Sequence, residues 1–193
     1  MSKDKEPNFL KKYRKADPDG RLSLMFENYK DFPKIIHKAE KKTTYKIKTE
    51  REFLRSHIRG ELGVRVQTSK KSDPTADEAV DNVSLEEAFA NGKICGGLLK
   101  GIENSSVYEA DIRIISIMKM DYMLLQDIIE DLDEGDSKII KDYLLEGKLY
   151  REMAVDEHIS YDGIKKRMER IRGDIRDEII ECLEMNCSGG EEC

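Results

Sequence analysis

Tryptophan is missing from this chain of 193 residues, and aromatic residues make up only 7% of it. That scarcity argues against a large aromatic-lined ligand pocket. No apolar run approaches the roughly 18 residues that a membrane span needs. The opening stretch, Met1 to Leu10, is charged and lacks the apolar centre of a secretion signal. These absences lead to the expectation of a cytoplasmic chain with no membrane partner.

Chemistry-bearing motifs are missing too. The glycines Gly96, Gly97 and Gly101 punctuate a loose segment but form no phosphate-cradling pattern. The cysteines are Cys95, Cys182, Cys187 and Cys193, and the last three are separated by four and five residues rather than by two. That is not the spacing of a zinc knuckle. Neither His37, His57 nor His158 sits in a nucleophile motif with Cys or Ser. Asp17-Pro18-Asp19-Gly20 resembles the start of a calcium loop, but Leu22, Leu24 and Met25 follow where ligands are needed, so a turn is expected. The reading is of a chain that is not an enzyme and uses no cofactor and no metal.

What the sequence does have is charge. Residues 1–72 carry 20 Lys and Arg against 10 Asp and Glu, and residues 73–193 carry 14 against 30. Such asymmetry suits interaction with a charged polymer. The first 48 residues read as basic and irregular, broken at Pro7, Pro18, Gly20 and Pro33, with short helices around 22–29 and 33–41. Thr49-Glu50-Arg51-Glu52 has the spacing of a capping box, opening a helix with Phe53, Leu54, His57 and Ile58 inward. Val64 to Ser69 alternates as a short extended stretch would. Asp73-Pro74 starts a further helix with Ala76, Val80 and Val83 inward. Ser84-Leu85-Glu86-Glu87 offers a second capping box, with Phe89 buried and Asn91-Gly92 as the stop.

From Ser105 to Asp131, Val107, Ile114, Met118, Tyr122, Leu125, Ile129 and Leu132 recur every three or four residues, widened by Ile115, Ile117, Met120 and Leu124. That periodicity predicts a long central helix organising the core. An acidic stretch follows (Asp127, Glu130, Asp131, Asp133, Glu134, Asp136), with Asp136 placed to cap the next helix.

Three helical segments close the chain. One runs over 137–146 and stops at Gly147, one over 150–157 has Met153 and Ala154 inward, and a third begins after His158-Ile159-Ser160. Ser160 caps the third, whose inner stripe is Ile164, Met168, Ile171, Ile175 and Ile179. Its outer face is basic: Gly163 to Arg176 holds six Lys or Arg against two acids. A short helix, a tight turn and a basic amphipathic helix make a helix-turn-helix. The candidate DNA-binding residues are Lys148, Tyr150, Ser160, Tyr161, Asp162, Lys165, Lys166, Arg167, Arg170 and Arg172. Those at the start of the third helix face base edges, and the others hold phosphates.

Gly147, Tyr150, Glu152, Met153, Ala154, Ile159, Ser160, Ile164, Lys165 and Arg167 match the pattern of sigma-70 region 4, and the segment resembles that helix-turn-helix. Three positions depart from it. Leu149 stands where Ser usually caps, Glu157 where an apolar residue is usual, and His158 where Gly usually makes the turn. The whole layout, including the stretch from Gly63 to Val80, is similar to phage-encoded transcriptional regulators of the ArpU and RinA type. That resemblance implies regulation of phage or mobile-element genes. No sigma region 2 is recognisable, so no promoter-melting factor is implied.

The expected fold is therefore all-α. A helical domain with the long central helix spans 49–134, a helix-turn-helix domain spans 135–185, a hinge lies near 133–136, and 186–193 forms a flexible tail. The expected partner is double-stranded DNA, with RNA polymerase and a second copy of the chain as further candidates. The alternative is a protein-binding, phage-encoded inhibitor that uses its acidic surface and keeps the helix-turn-helix for autoregulation. RNA is a weaker candidate, because no aromatic stacking platform is evident.

Overall fold

The computed structural model describes residues 6–61, 74–94 and 97–188. They are all-helical, with no strand among them. The helices are α1 (Glu6–Lys15), α2 (Pro18–Asn28), α3 (Phe32–Glu61), α4 (Pro74–Asn91), α5 (Ser105–Asp131), α6 (Glu134–Lys141), α7 (Tyr150–Asp156) and α8 (Tyr161–Ser188). α6 runs on into a π-type turn over Asp142–Glu146.

The N-terminal region corrects the sequence reading. It is helical from Glu6 onward rather than irregular. Asp17 is the N-cap of α2, accepting from the Gly20 amide at 2.9 Å, and Pro18 occupies the first turn, where a missing N–H loses nothing. Pro33 likewise falls in the first turn of α3. That helix then continues through Thr49, so the expected boundary there does not exist. Thr49 donates its hydroxyl to the Tyr45 carbonyl at 2.8 Å instead of capping. Ser84 is also interior, within α4.

Several faces differ from expectation. Phe53, Val80, Val83, Val107 and Met120 are all exposed, whereas Leu85, Ala88 and Phe89 carry the burial of α4. Val64 to Ser69, the Asp73 cap and the side chains of His57, Ile58 and Ala76 lie outside the described residues. α8 extends through Ser188, into the segment read as a tail.

The chain forms two compact units, and their boundaries are not those read from the sequence. Residues 36–117 form one. Its core includes Ile47, Leu85, Phe89, Leu98, Leu99, Ile112 and Ile115. Tyr108 donates its hydroxyl to Glu50, and Arg51 pairs with Asp81 at 2.6 Å. Burial pushes the Tyr108 hydroxyl up to about 12, and that hydrogen bond lowers the Glu50 carboxyl.

Residues 1–35 and 118–193 form the other unit. The end of α5 and the C-terminal helices belong to this same unit. The N-terminal helices complete this core. Phe32 stacks on Tyr122 at 5.2 Å, and the Tyr122 hydroxyl donates to the Tyr29 carbonyl at 3.1 Å. A buried polar group ties α1, α2 and α5 together. Tyr13 donates to Asp121 at 2.8 Å, Arg21 lies 3.7 Å from the same carboxylate, and the Arg21 guanidinium sits 5.4 Å from the Tyr13 ring centre. An isolated buried charge would be strongly unfavourable, so each ion here is tolerated because of the other.

Candidate nucleic-acid interface

The segment read as a helix-turn-helix comprises α7, the turn after it and the start of α8. Ile139, Ile140, Leu144, Met153, Ala154, Ile164, Met168 and Ile171 are its buried residues. Gly147 ends the π-type turn at φ +70, a conformation open to a residue without Cβ. The Leu149 departure is compensated from inside α7, because the Leu149 amide donates to Glu152 Oε2 at 2.8 Å. The other orphan amides of that helix start gain no side-chain acceptor from Leu149.

The turn between α7 and α8 is tight. His158 takes φ +55, the left-handed conformation that His adopts more readily than most residues. The Ile159 amide donates to the Ala154 carbonyl at 3.1 Å, closing the turn. Ser160 accepts from the Gly163 amide at 3.1 Å and so caps α8.

Glu157, the second departure, is explained by a polar cluster. It accepts from Lys138 at 2.8 Å and lies 3.9 Å from Arg167. Arg167 in turn donates its Nε to Asp136 Oδ1 at 2.6 Å, and Arg170 donates Nη2 to Asp136 Oδ2, also at 2.6 Å. Asp136 is thus not the cap of α6; Asp133 occupies that position. Asp136 is instead a nearly buried carboxylate, its side chain 9% exposed, that holds two guanidinium groups. Gly135 makes room for this approach, since a Cβ there would meet Arg167 Nη2 at 2.7 Å.

The candidate DNA-binding residues fall into two sets. Lys148 lies among three carboxylates: Asp142 at 2.9 Å, Asp156 at 3.1 Å and Glu146 at 3.5 Å. Hydrogen bonding to Asp142, then to Asp156, raises its pKa. Arg172 lies over the Tyr143 ring at 4.9 Å and the Phe26 ring at 5.6 Å, with its buried Nε lacking a hydrogen-bond partner. Tyr150 is half-buried between Tyr143 (5.6 Å) and Tyr161 (6.4 Å), and burial raises its hydroxyl pKa. Together with Arg167 and Arg170, these residues are engaged by the protein itself.

Ser160, Tyr161, Asp162, Lys165 and Lys166 form the other set, exposed over the cap and first two turns of α8. Lys165 has Glu169 one turn further on, at 4.0 Å. This small face offers two ammonium groups, a phenol and a carboxylate, which supply both donors and acceptors to a base edge.

Sequence reasoning missed Asp136, Glu157 and Lys138 as supports of the motif. A signal was present at Glu157: an acid at a normally apolar position, with Arg167 ten residues on.

Among the described residues, no three His, Cys, Asp or Glu are grouped to hold a metal ion, and no helix is long and apolar enough to cross a membrane. Compared with models of protein families, with curated proteins and with solved structures, the chain matches none.

Proposed function

We propose that the chain is a sequence-specific DNA-binding transcriptional regulator that reads the major groove with the start of α8. One observation carries this reading: the left-handed turn at His158, capped by Ser160, leaves Tyr161, Asp162, Lys165 and Lys166 exposed at the helix start. A helix fits the major groove, and its first turns then approach base edges. Each well-formed bidentate base contact discriminates by about 1–3 kcal/mol. The resemblance to sigma-70 region 4 and to phage-encoded regulators supports the same reading and suggests phage or mobile-element genes as targets. So small a reading face calls for additional contacts, from RNA polymerase, from a second copy of the chain or from another surface of this one.

Binding to DNA fragments from the gene's own neighbourhood, at two salt concentrations, tests the proposal. Wild type should select a fragment and bind it less tightly as salt rises. The Lys165→Glu/Lys166→Glu variant should lose that selection. Selection that persists in the variant would remove α8 from the reading role.

A further inference from the structure

Five side chains are exposed over the cap and first two turns of α8, and four of them are hydroxyl or charged groups: Ser160, Asp162, Lys165 and Lys166. Tyr161 is the fifth. It stands at the first position of the helix, 49% exposed, and offers this face an apolar surface. At helical spacing, Tyr161 and Lys165 form one column, and Asp162 and Lys166 form the next. The Tyr161 ring belongs to a row. It lies 6.4 Å from the Tyr150 ring at 50°, and Tyr150 lies 5.6 Å from Tyr143 at 45°. Arg172 sits over the Tyr143 ring at 4.9 Å and closes the row. Ring pairs at such separations attract one another, so Tyr161 is backed on one side and open on the other. A ring already backed in this way loses little freedom when it meets a partner.

Resting on the α8 reading proposed above, we infer that Tyr161 is a specificity-determining residue that recognises thymine through its 5-methyl group. Thymine carries an apolar group on its major-groove edge, whereas guanine, adenine and cytosine present hydrogen-bond donors and acceptors there. The charged members of the face suit those polar edges, and the open side of the Tyr161 ring suits the methyl. A helix in the major groove brings its N-terminal residues to base edges, and Tyr161 is the first residue of α8. Covering one methyl group raises affinity by about four-fold. The competing partner for a tyrosine is a phosphate oxygen, met through the hydroxyl. That contact would need the hydroxyl and would be indifferent to the base.

The probe is the duplex that full-length wild type enriches from a randomised pool, remade with each thymine in turn replaced by uracil. The exchange deletes the 5-methyl and keeps the base pair and the charge. For wild type, the exchange at the contacted position should weaken binding by about four-fold. The slope of log affinity against log salt should not change, because no phosphate contact is lost. Tyr161→Ala should bind the thymine and uracil duplexes equally. Tyr161→Phe, which keeps the ring and loses the hydroxyl, should discriminate as wild type does. Circular dichroism should show the three proteins equally helical. Indifference of wild type to uracil at every position would overturn the proposal, as would discrimination that survives in Tyr161→Ala or is lost in Tyr161→Phe. The Lys165→Glu/Lys166→Glu variant separates this failure from failure of the α8 reading. If it enriches the same duplex as wild type, or if wild type enriches none, the α8 reading falls and thymine recognition falls with it. If it loses the enrichment while wild type ignores the uracil exchange, the α8 reading stands and the role of Tyr161 alone falls.

Discussion

The basic stretch of α8 and the basic stretch of α3 look alike when charges are counted, yet the folded protein uses them differently. In α8, Asp136 holds Arg167 and Arg170, the Tyr143 and Phe26 rings hold Arg172, and Asp19 holds Arg176 at 2.6 and 3.0 Å. Lys165, 4.0 Å from Glu169, and Lys166 are not held in this way. In α3, Lys41, Lys42 and Lys46 are exposed. The division follows side-chain chemistry. The guanidinium is flat, forks onto a carboxylate and stacks on aromatic rings, whereas the ammonium is compact and strongly hydrated. Positive charge in a sequence is therefore not the same quantity as positive charge offered to a partner.

If this contrast is right, mutations in the two helices should produce different kinds of effect. The largest loss of stability should come from Asp136→Ala, which leaves two guanidinium groups without their carboxylate. Denaturant unfolding should show a loss of about 1.5–3 kcal/mol, the range for hydrogen bonds to charged groups. An unchanged midpoint would mean that Asp136 is an incidental surface pair. Arg172→Ala should cost about 1–2 kcal/mol, from the lost cation–π contact and the packing of its stem. Arg172→Lys should recover part of this.

Next comes Tyr108→Phe, expected to lower stability by about 1 kcal/mol through the lost hydrogen bond to Glu50. Its pH behaviour sharpens the test. Burial pushes both Tyr29 and Tyr108 up to about 12 from an ordinary 10. A raised folded pKa means that the stabilisation is complete below pH 10 and is lost as pH climbs toward 12. Helicity and tyrosinate absorbance followed together should change across that interval. Tyr108→Phe should remove its own share of the alkaline loss and leave that of Tyr29. The smallest stability effect belongs to Lys41→Gln/Lys42→Gln/Lys46→Gln, within about 0.5 kcal/mol for exposed positions. A large drop in its melting temperature would undo the contrast between the two helices.

How much of this was legible in the sequence depended on whether the determining contact was local. The bounds of α5, Ser105–Asp131, and the inner stripe of α8 followed from periodicity, because each buried residue lies one turn from the next. The tight turn before Ser160 was expected from the sequence, and His158 takes the left-handed conformation there. α3 was read as two pieces because Thr49-Glu50-Arg51-Glu52 mimics a helix start. In the structure α3 runs on through it, with Ile47 just before it buried. The allocation of arginines was not legible at all. Arg167 meets Asp136 across 31 residues, and Arg176 meets Asp19 across 157. No spacing rule reaches that far. The exposure of Val80, Val83 and Val107 was missed for a related reason: an apolar residue at the correct interval is buried only if another element covers it.

The discontinuity of the larger unit has a consequence for how the protein is made. Residues 1–35 belong with 118–193, and residues 36–117 must be synthesised in between. At 5–20 residues per second, that interval lasts about 4–16 seconds. During it, Leu22, Leu24, Met25 and Phe32 have left the ribosome without the α5 and α8 residues that complete their core. Arg21 likewise waits for Asp121, its eventual partner. Until then, the start of the chain is a nascent apolar segment in need of shelter. A chaperone that recognises such segments would meet this protein at α1 and α2, before α8 is there to cover them.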